Sequence, residues 1–434
     1  MLTVRNHAQR LALNDEVHAR PPVELASPCN LSHLAWISGP DDRELEWQRL
    51  AALAGQLDAP PPAADAKHYR ADRGGLRLRW ERHTEFTRCT FIVDGVSAEP
   101  FAESALTAVP GAWLAELDVE LMAAVHVCLT REHEPSRPFA DIARRYFAGN
   151  VLVGSQIAAG AAIALTDFRV HDDGFSRLLV MNDAMPPQQA GRMLQRLLEI
   201  DTYRLMTLLA LPVAQELAPF LNDSERRLAS LSDALAGSGR VDEQALLDEL
   251  NSLEALSEYH QLHTGFRFSA AEAYYDLVAR RIDELREQRI AGMQTYREFV
   301  QRRLTPALNT CRATAGRQHT LARRIARLTA LLSTRVDIAR QQQNQRLLES
   351  MDRRAKIQVR LQQTVEGLSI AAISYYLVGL IYYLARGVSA GGVPIDVEIV
   401  AALSIPLVVL AVALALRRVR RALTGDHESD AKQR

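Results

Sequence analysis

The sequence is short of cysteine. It has four among 434 residues, Cys29, Cys89, Cys128 and Cys311. No two stand at metal-ligand spacing, and they are too sparse to staple a small fold. A zinc module and a disulfide scaffold are therefore excluded, and four reduced thiols are expected. Net charge is also missing: 51 basic residues balance 52 acidic ones to leave −1. No global field draws the chain toward polyanions, so nucleic acid is not an expected partner. The opening stretch, MLTVRNHAQRLALNDEVHARPP, has no apolar core of roughly 7–15 residues behind a basic start. It is not read as a secretory signal, and the N-terminus is expected in the cytoplasm. Phosphate-cradling GxxxxGK[ST], the GxSxG elbow and the dinucleotide glycine fingerprint are all absent. His126, His133, His171, His260 and His263 form no ligand pattern, and no HExxH occurs. No enzyme and no cofactor are expected; a metal stays unassigned.

What the sequence does have is two long apolar runs near its end. LSIAAISYYLVGLIYYLA (368–385) and IVAALSIPLVVLAVALAL (399–416) each hold 18 positions without a formal charge. A helix that long covers roughly 27 Å, close to the thickness of a bilayer core. Lipid offers no partner for a backbone amide, so such a run spans as a helix, and Pro406 is tolerable there. A two-helix transmembrane hairpin over 367–416 is predicted. Arg353, Arg354, Lys356 and Arg360 precede it, and Arg417, Arg418, Arg420 and Arg421 follow it in a basic tail, 417–434. The 13-residue connection Arg386–Glu398 has one arginine and two acids. Basic residues stay on the cytoplasmic side, so both termini are expected in the cytoplasm of a bacterial inner membrane. The basic residues are candidates for lipid-headgroup contact, with a merely solvated helix surface as the other reading. Tyr375, Gly379 and Tyr382 or Tyr383 share one face of the first span. Either helix packing or a pore lining would explain that stripe.

Residues 1–185 have another texture. Segments at 31–38, 76–83, 86–93, 120–129, 150–158, 162–171 and 176–182 look like strands, and several alternate apolar with polar, implying a mixed sheet with one face covered and one partly wet. Thr84-Glu85 and His171–Gly174 read as hairpin turns, and 41–57 as a helix. From Pro186 to 366 the pattern is helical, a stalk with coiled-coil character at Leu321, Ile325, Leu328, Leu332 and Val336. A turn is predicted at Gly237-Ser238-Gly239, then a helix from Val241 to His260. Gly265 reads as a break, and Ser269 with Glu272 as the capping box of the next helix. Pro306 and Gly316 are the expected kinks. The fold class is α+β: sheet domain, helical stalk, transmembrane hairpin.

The densest polar cluster is Asn14-Asp15-Glu16-Val17-His18-Ala19-Arg20-Pro21-Pro22. Two accounts fit it. As a helical turn, Asn14 caps, Asp15 and Glu16 suit the N-terminal dipole and Pro21 terminates. As a site, Asp15, Glu16 or His18 would hold a cation, or His18 and Arg20 an anionic ligand.

LNDEVHARPP (13–22), LLEIDTYRLMTLLALPVAQEL (197–217) and MDRRAKIQVRLQQTVEGLSIAAISYYLVGL (351–380) resemble a family of predicted membrane-anchored bacterial proteins known only as a domain of unknown function. The resemblance implies an anchor and transfers no catalytic residue. The plan of an α/β head, a long helix entering the first span, a short outer loop and a basic tail is also similar to that of CorA-type magnesium channels. Those carry a Gly-Met-Asn triplet after the first span, where this chain has Ala385-Arg386-Gly387-Val388-Ser389. The expectation is a non-enzymatic protein on the lipid bilayer, a homo-oligomer through its stalk and spans, binding a partner or ligand near the membrane. The alternative is an oligomeric CorA-like ion channel or transporter whose first span lines a pore.

Overall fold

The computed structural model describes residues 5–430 apart from 12, 15–22, 96–98, 133–134, 136, 238–241 and 391–394, with side chains described up to Arg418. The architecture is α+β: a nine-stranded mixed sheet, then long helices. In chain order the elements are β1 (Cys29–Ile37), α1 (Arg43–Gln56), β2 (His68–Arg73), β3 (Leu76–Arg82), β4 (Phe86–Asp94) and α2 (Gly111–Ala115). There follow β5 (Leu121–Arg131), α3 (Phe139–Tyr146), β6 (Val153–Ile157), β7 (Ala162–Thr166) and β8 (Ser176–Asn182). Then come α4 (Pro187–Leu208), α5 (Ala210–Ala236), α6 (Glu243–Leu285), β9 (Gln288–Arg289), α7 (Tyr296–Ala390) and α8 (Val397–Asp430). The sheet order is β2-β3-β4-β1-β5-β8-β7-β6-β9, and only β5 and β8 pair in parallel. The chain forms two compact units, 1–330 and 331–434.

In the first unit, strand alternation sorts side chains onto two covered faces. Leu31 and Ala35 of β1 join Val125, Val127 and Leu129 of β5 beneath α4, α6 and the start of α7, where Leu194, Ile200, Met206, Val278, Ile282 and Tyr296 are buried. Leu34 and Trp36 point the other way, with Leu78, Trp80 and Phe91, under Leu50 and Leu53 of α1 and Trp113 of α2. A third cluster seats Ile142 and Tyr146 of α3 on Leu165, Leu179 and Met181. The partly wet sheet face expected from alternation is therefore closed: the helices from Pro187 onward share the sheet's core. The four cysteines are free and buried.

Two helix boundaries differ from expectation. Gly265 does not break α6, which continues from Glu243 to Leu285. A helical glycine costs about 1 kcal/mol relative to alanine, and the burial of Thr264 and Phe268 beside it holds the helix together. Ser269 and Glu272 accordingly sit inside α6 and cap nothing. The chain turns instead at Arg286, in the left-handed region (φ 49°). The capping box lies at Thr295 and Glu298: Glu298 N donates to Thr295 Oγ1 at 3.2 Å, and Thr295 N donates to Glu298 Oε2 at 3.2 Å. Glu287 adds its carboxylate to the same helix start, accepting from Tyr296 N and Arg297 N at 3.1 Å each while also accepting from Ser155 Oγ at 2.8 Å. One side chain thus ties β6 to the N-terminus of α7, where its charge suits the dipole. α7 then passes Pro306 and Gly316 without interruption. Asp242 caps α6, accepting from Gln244 N and Ala245 N. Ser238 and Gly239 of the predicted turn, and Val241, lie outside the described residues.

The second unit is helical. α7 extends to Ala390, five residues beyond the predicted end of the first span, and α8 runs from Val397 through the predicted tail to Asp430. Pro406 sits inside α8. Among the described residues three helical stretches are long and apolar enough to cross a membrane by length and composition: Pro187–Ala236, Tyr296–Ala390 and Val397–Arg418. Their most apolar windows differ in burial, at 33%, 11% and 6%.

Candidate functional site

Asp15, Glu16, His18 and Arg20 lie outside the described residues. The chain immediately after them does not. Val23–Leu25 lies along the start of α4: Leu25 N donates to Pro187 O at 3.0 Å, Gln188 Nε2 to Glu24 Oε1 at 2.9 Å, and Arg77 Nη1 to Glu24 O at 2.6 Å. A Cβ at Gly191 would stand 1.7 Å from the carbonyl oxygen of Val23, so no larger residue lets this segment lie so close to the helix.

Under that segment is a buried network of charge. Alternation along β3 puts Arg79 and Glu81 on the face that α4 covers, and Arg88 of β4 joins them. These residues are 8%, 2% and 5% exposed. Arg79 donates twice to Glu81 Oε1, at 2.6 and 3.1 Å, and once to Gln195 Oε1 at 3.1 Å. Arg88 Nε donates to Glu81 Oε2. Its two terminal nitrogens reach Glu199 Oε1 of α4 at 3.3 Å. Glu199 also accepts from Gln195 Nε2 at 2.9 Å and from Arg281 Nε of α6 at 2.5 Å. Arg281 and Arg196 then share Glu284. Two strands and two helices are joined by charge-assisted bonds in a low-dielectric interior, where each carboxylate answers more than one guanidinium.

His33 lies beside this network, 1% exposed. Thr202 Oγ1 donates to Leu198 O at 2.9 Å, so it can only accept from His33 Nε2 at 3.2 Å; Thr90 then donates to Nδ1 at 2.8 Å. The hydrogen bonds therefore assign the neutral tautomer with its proton on Nε2. Burial first, and Arg88 second, push the imidazole down to about 3 from 6.5. Burial opposes the charge on Glu81, but Arg88 and Arg79 overcome it and hold the carboxyl at about 2 against 4.5. In both cases the folded state binds fewer protons than the unfolded chain. Stability is complete above the unfolded values and is lost as pH falls, through His33 between 6.5 and 3 and through Glu81 between 4.5 and 2. The thermal midpoint of the purified protein is expected to drop between pH 7 and pH 4, and His33→Gln to flatten the upper part of that drop. A level midpoint from pH 7 to pH 5 would count against this assignment.

The cavity bounded by Val23, His33, Arg79, Arg88, Gly191 and Gln195 measures about 30 Å³. It admits a water molecule but no organic ligand. Elsewhere Ser32 Oγ lies 2.9 Å from His126 Nδ1, but Ser32 is fully buried and His126 stacks on Phe175. Among the described residues no group of three or more His, Cys, Asp or Glu side chains could hold a metal ion.

The remaining sequence candidates are on the second unit. Tyr375 and Tyr383 are exposed, Tyr382 less so, and a Cβ on Gly379 would meet nothing within 4 Å. Arg353, Arg354, Lys356, Arg360, Arg417 and Arg418 are exposed, with Lys356 bonded to Asp352 at 2.6 Å. The side chains of Arg420 and Arg421 lie outside the described residues. The buried network was missed in the sequence, although two signals were present: charges alternating within LRLRWERH, and Glu199 inside a helix too apolar to be wet.

Residues 5–423 match the family described as "Protein of unknown function (DUF3422)". No curated protein matches the chain.

Proposed function

We propose that this chain, which belongs to the DUF3422 family, is a non-enzymatic protein anchored in a bacterial inner membrane by a hairpin of α7 and α8, with its α/β head binding a partner or ligand at the cytoplasmic surface. The observation that carries this reading is the contrast among the three apolar stretches. Pro187–Ala236 places Leu194, Ile200 and Met206 of α4 in the core of the head and buries 33% of its most apolar window, whereas the windows in α7 and α8 bury only 11% and 6% of their residues. Two such helices expose Leu368, Leu380, Leu384, Leu403, Leu407 and Leu410 together, an area that water does not tolerate and lipid does. The flanking arginines support both termini on the cytoplasmic side.

The open face at Tyr375, Gly379 and Tyr383 favours a second reading, an oligomer whose first span lines a pore. Arg386 near the end of that span would repel cations, which weighs against a cation pore.

Two measurements test the proposal. The protein is expected to stay in the membrane pellet after carbonate extraction, and single cysteines placed at Arg353 and Arg418 are expected to resist an impermeant thiol reagent in intact spheroplasts while one at Asp396 reacts. Release by carbonate, or labelling of the flanks, would sink the anchor. Metal-ion flux in proteoliposomes would favour the pore instead.

A further inference from the structure

α6 and α7 pack antiparallel. Thr264 Oγ1 meets Gln318 Oε1 at 3.2 Å, and Arg312 Nε meets Glu272 Oε1 at 3.1 Å, so partners descend on one helix as they ascend the other. Helix α5 occupies one side of this pair, through Arg317 with Glu225 and Asn222 and through buried Leu221 and Leu228. Among the described residues nothing covers the opposite side. Two adjoining hollows, of about 590 and 600 Å³, run along it and share Glu258, Gln261 and His319. They exist because small residues face each other there: Gly265 and Ser269 on α6, Ala315 and Gly316 on α7. A Cβ on either glycine would meet nothing within 4 Å. Beside the hollows stand Tyr259, Leu262 and Phe266, which are 55%, 72% and 61% exposed and lie on successive turns of α6.

We infer that this groove is the interface with a second copy of the same chain, related by a two-fold axis parallel to α6 and α7. The charges identify the occupant. The α6 bank carries Glu254, Glu258 and Glu272, and the α7 bank carries Arg312 and Arg323. A face that is acidic along one bank and basic along the other is complementary to itself under such a rotation, which lays α6 of one copy over α7 of its partner. The rotation also keeps residues at the same level. Glu258 and Arg323 lie one turn from the facing pair Gln261 and His319, so Glu258 faces Arg323 of the partner subunit, and Glu272 faces Arg312 of the partner subunit. Leu262 and Phe266 enter the hollows left by the glycines, where aromatic and aliphatic anchors of an interface belong.

Charge reversal with mixing tests the interface. Full-length protein in detergent is expected to be a dimer by light scattering or native mass spectrometry. Glu258→Arg alone sets arginine against Arg323 of the partner subunit twice, and Arg323→Glu alone sets glutamate against Glu258 twice. Each variant is expected to dimerise at least about tenfold more weakly. Mixed in equal amounts, the two variants are expected to recover the wild-type dimer as a heterodimer, because every pair is again opposite in sign. An interaction confined within one chain cannot give that recovery. All these positions are exposed, so tryptophan fluorescence should show unchanged folding, and Leu262→Asp supplies a second disrupting variant. A monomeric wild type, variants that dimerise normally, or a mixture that stays monomeric would each overturn the proposal. Carbonate extraction of the same preparations is read separately: a dimer that leaves the membrane sinks the anchor and spares the interface.

Discussion

Glu199→Ala is expected to destabilise the head by about 3–5 kcal/mol, the range for removing one partner of a buried ion pair. The cost does not come from the lost attraction alone. Glu199 takes bonds from Arg88, Arg281 and Gln195 at once. Its removal leaves two guanidinium groups facing a cavity, one of them on a residue only 5% exposed. Glu81 still answers Arg88, so the loss belongs at the upper end only if Arg281 cannot swing to solvent. Arg281 is the more exposed partner, with Glu284 also in reach, which argues for the middle of the range. Asp223→Ala is the contrasting control. The side chains of its partners Arg226 and Arg227 are 79% and 45% exposed, and exposed pairs contribute about 0–1 kcal/mol. All four tryptophans, Trp36, Trp47, Trp80 and Trp113, lie in the head, so urea titrations followed by tryptophan fluorescence report on this unit. Equal midpoints for the two variants would show that the network is ornamental.

The same network marks where the sequence could be read and where it could not. Strands with clean alternation between apolar and polar positions, such as β3 and β4, were legible with their hairpin, because period two is a local property. What the alternate face met was not local. Arg79, Glu81 and Arg88 look like a wet surface until Glu199 and Arg281 arrive from residues more than a hundred positions away. β2 was missed because HYRADR has no apolar period; it is an edge strand that pairs only with β3. β9 is two residues long and exists only because β6 offers an edge. Gly265 misled for a related reason, since local propensity is weak beside the packing of Thr264 and Phe268. The Thr295–Glu298 capping box was legible in principle, but the expected helix starting at Ser269 concealed it. The Asp15–Arg20 cluster lies outside the described residues; the described segment Val23–Leu25 is held against α4 through Glu24, Leu25 and Gly191.

Arginine at both Leu380 and Leu407 is expected to release the protein from the membrane. Leu380 lies about one turn past the middle of the first predicted span and Leu407 at the middle of the second, and they are 59% and 68% exposed. In water, exchanging an exposed leucine for arginine removes an apolar liability and costs little. At the centre of a membrane helix an arginine costs about 2.5–3.5 kcal/mol on insertion scales. The leucine it replaces forfeits a further few tenths of favourable transfer. Both helices therefore lose about 6–8 kcal/mol together, enough to move the insertion equilibrium by four orders of magnitude or more. Snorkelling lessens the cost near the interfaces, so the same substitution at Leu368, at the edge of the first span, is expected to leave the protein in the pellet. This depth dependence separates lipid from a protein partner. If a soluble partner covered these helices, arginine at an exposed edge would disrupt binding about as much as arginine at the centre, and Leu368→Arg would behave like the double variant. Arginine at Leu194 or Met206, in the Pro187–Ala236 stretch, is expected to act differently again. Those side chains are sealed in the core of the head, and a charge there should unfold the sheet domain rather than change where the chain resides.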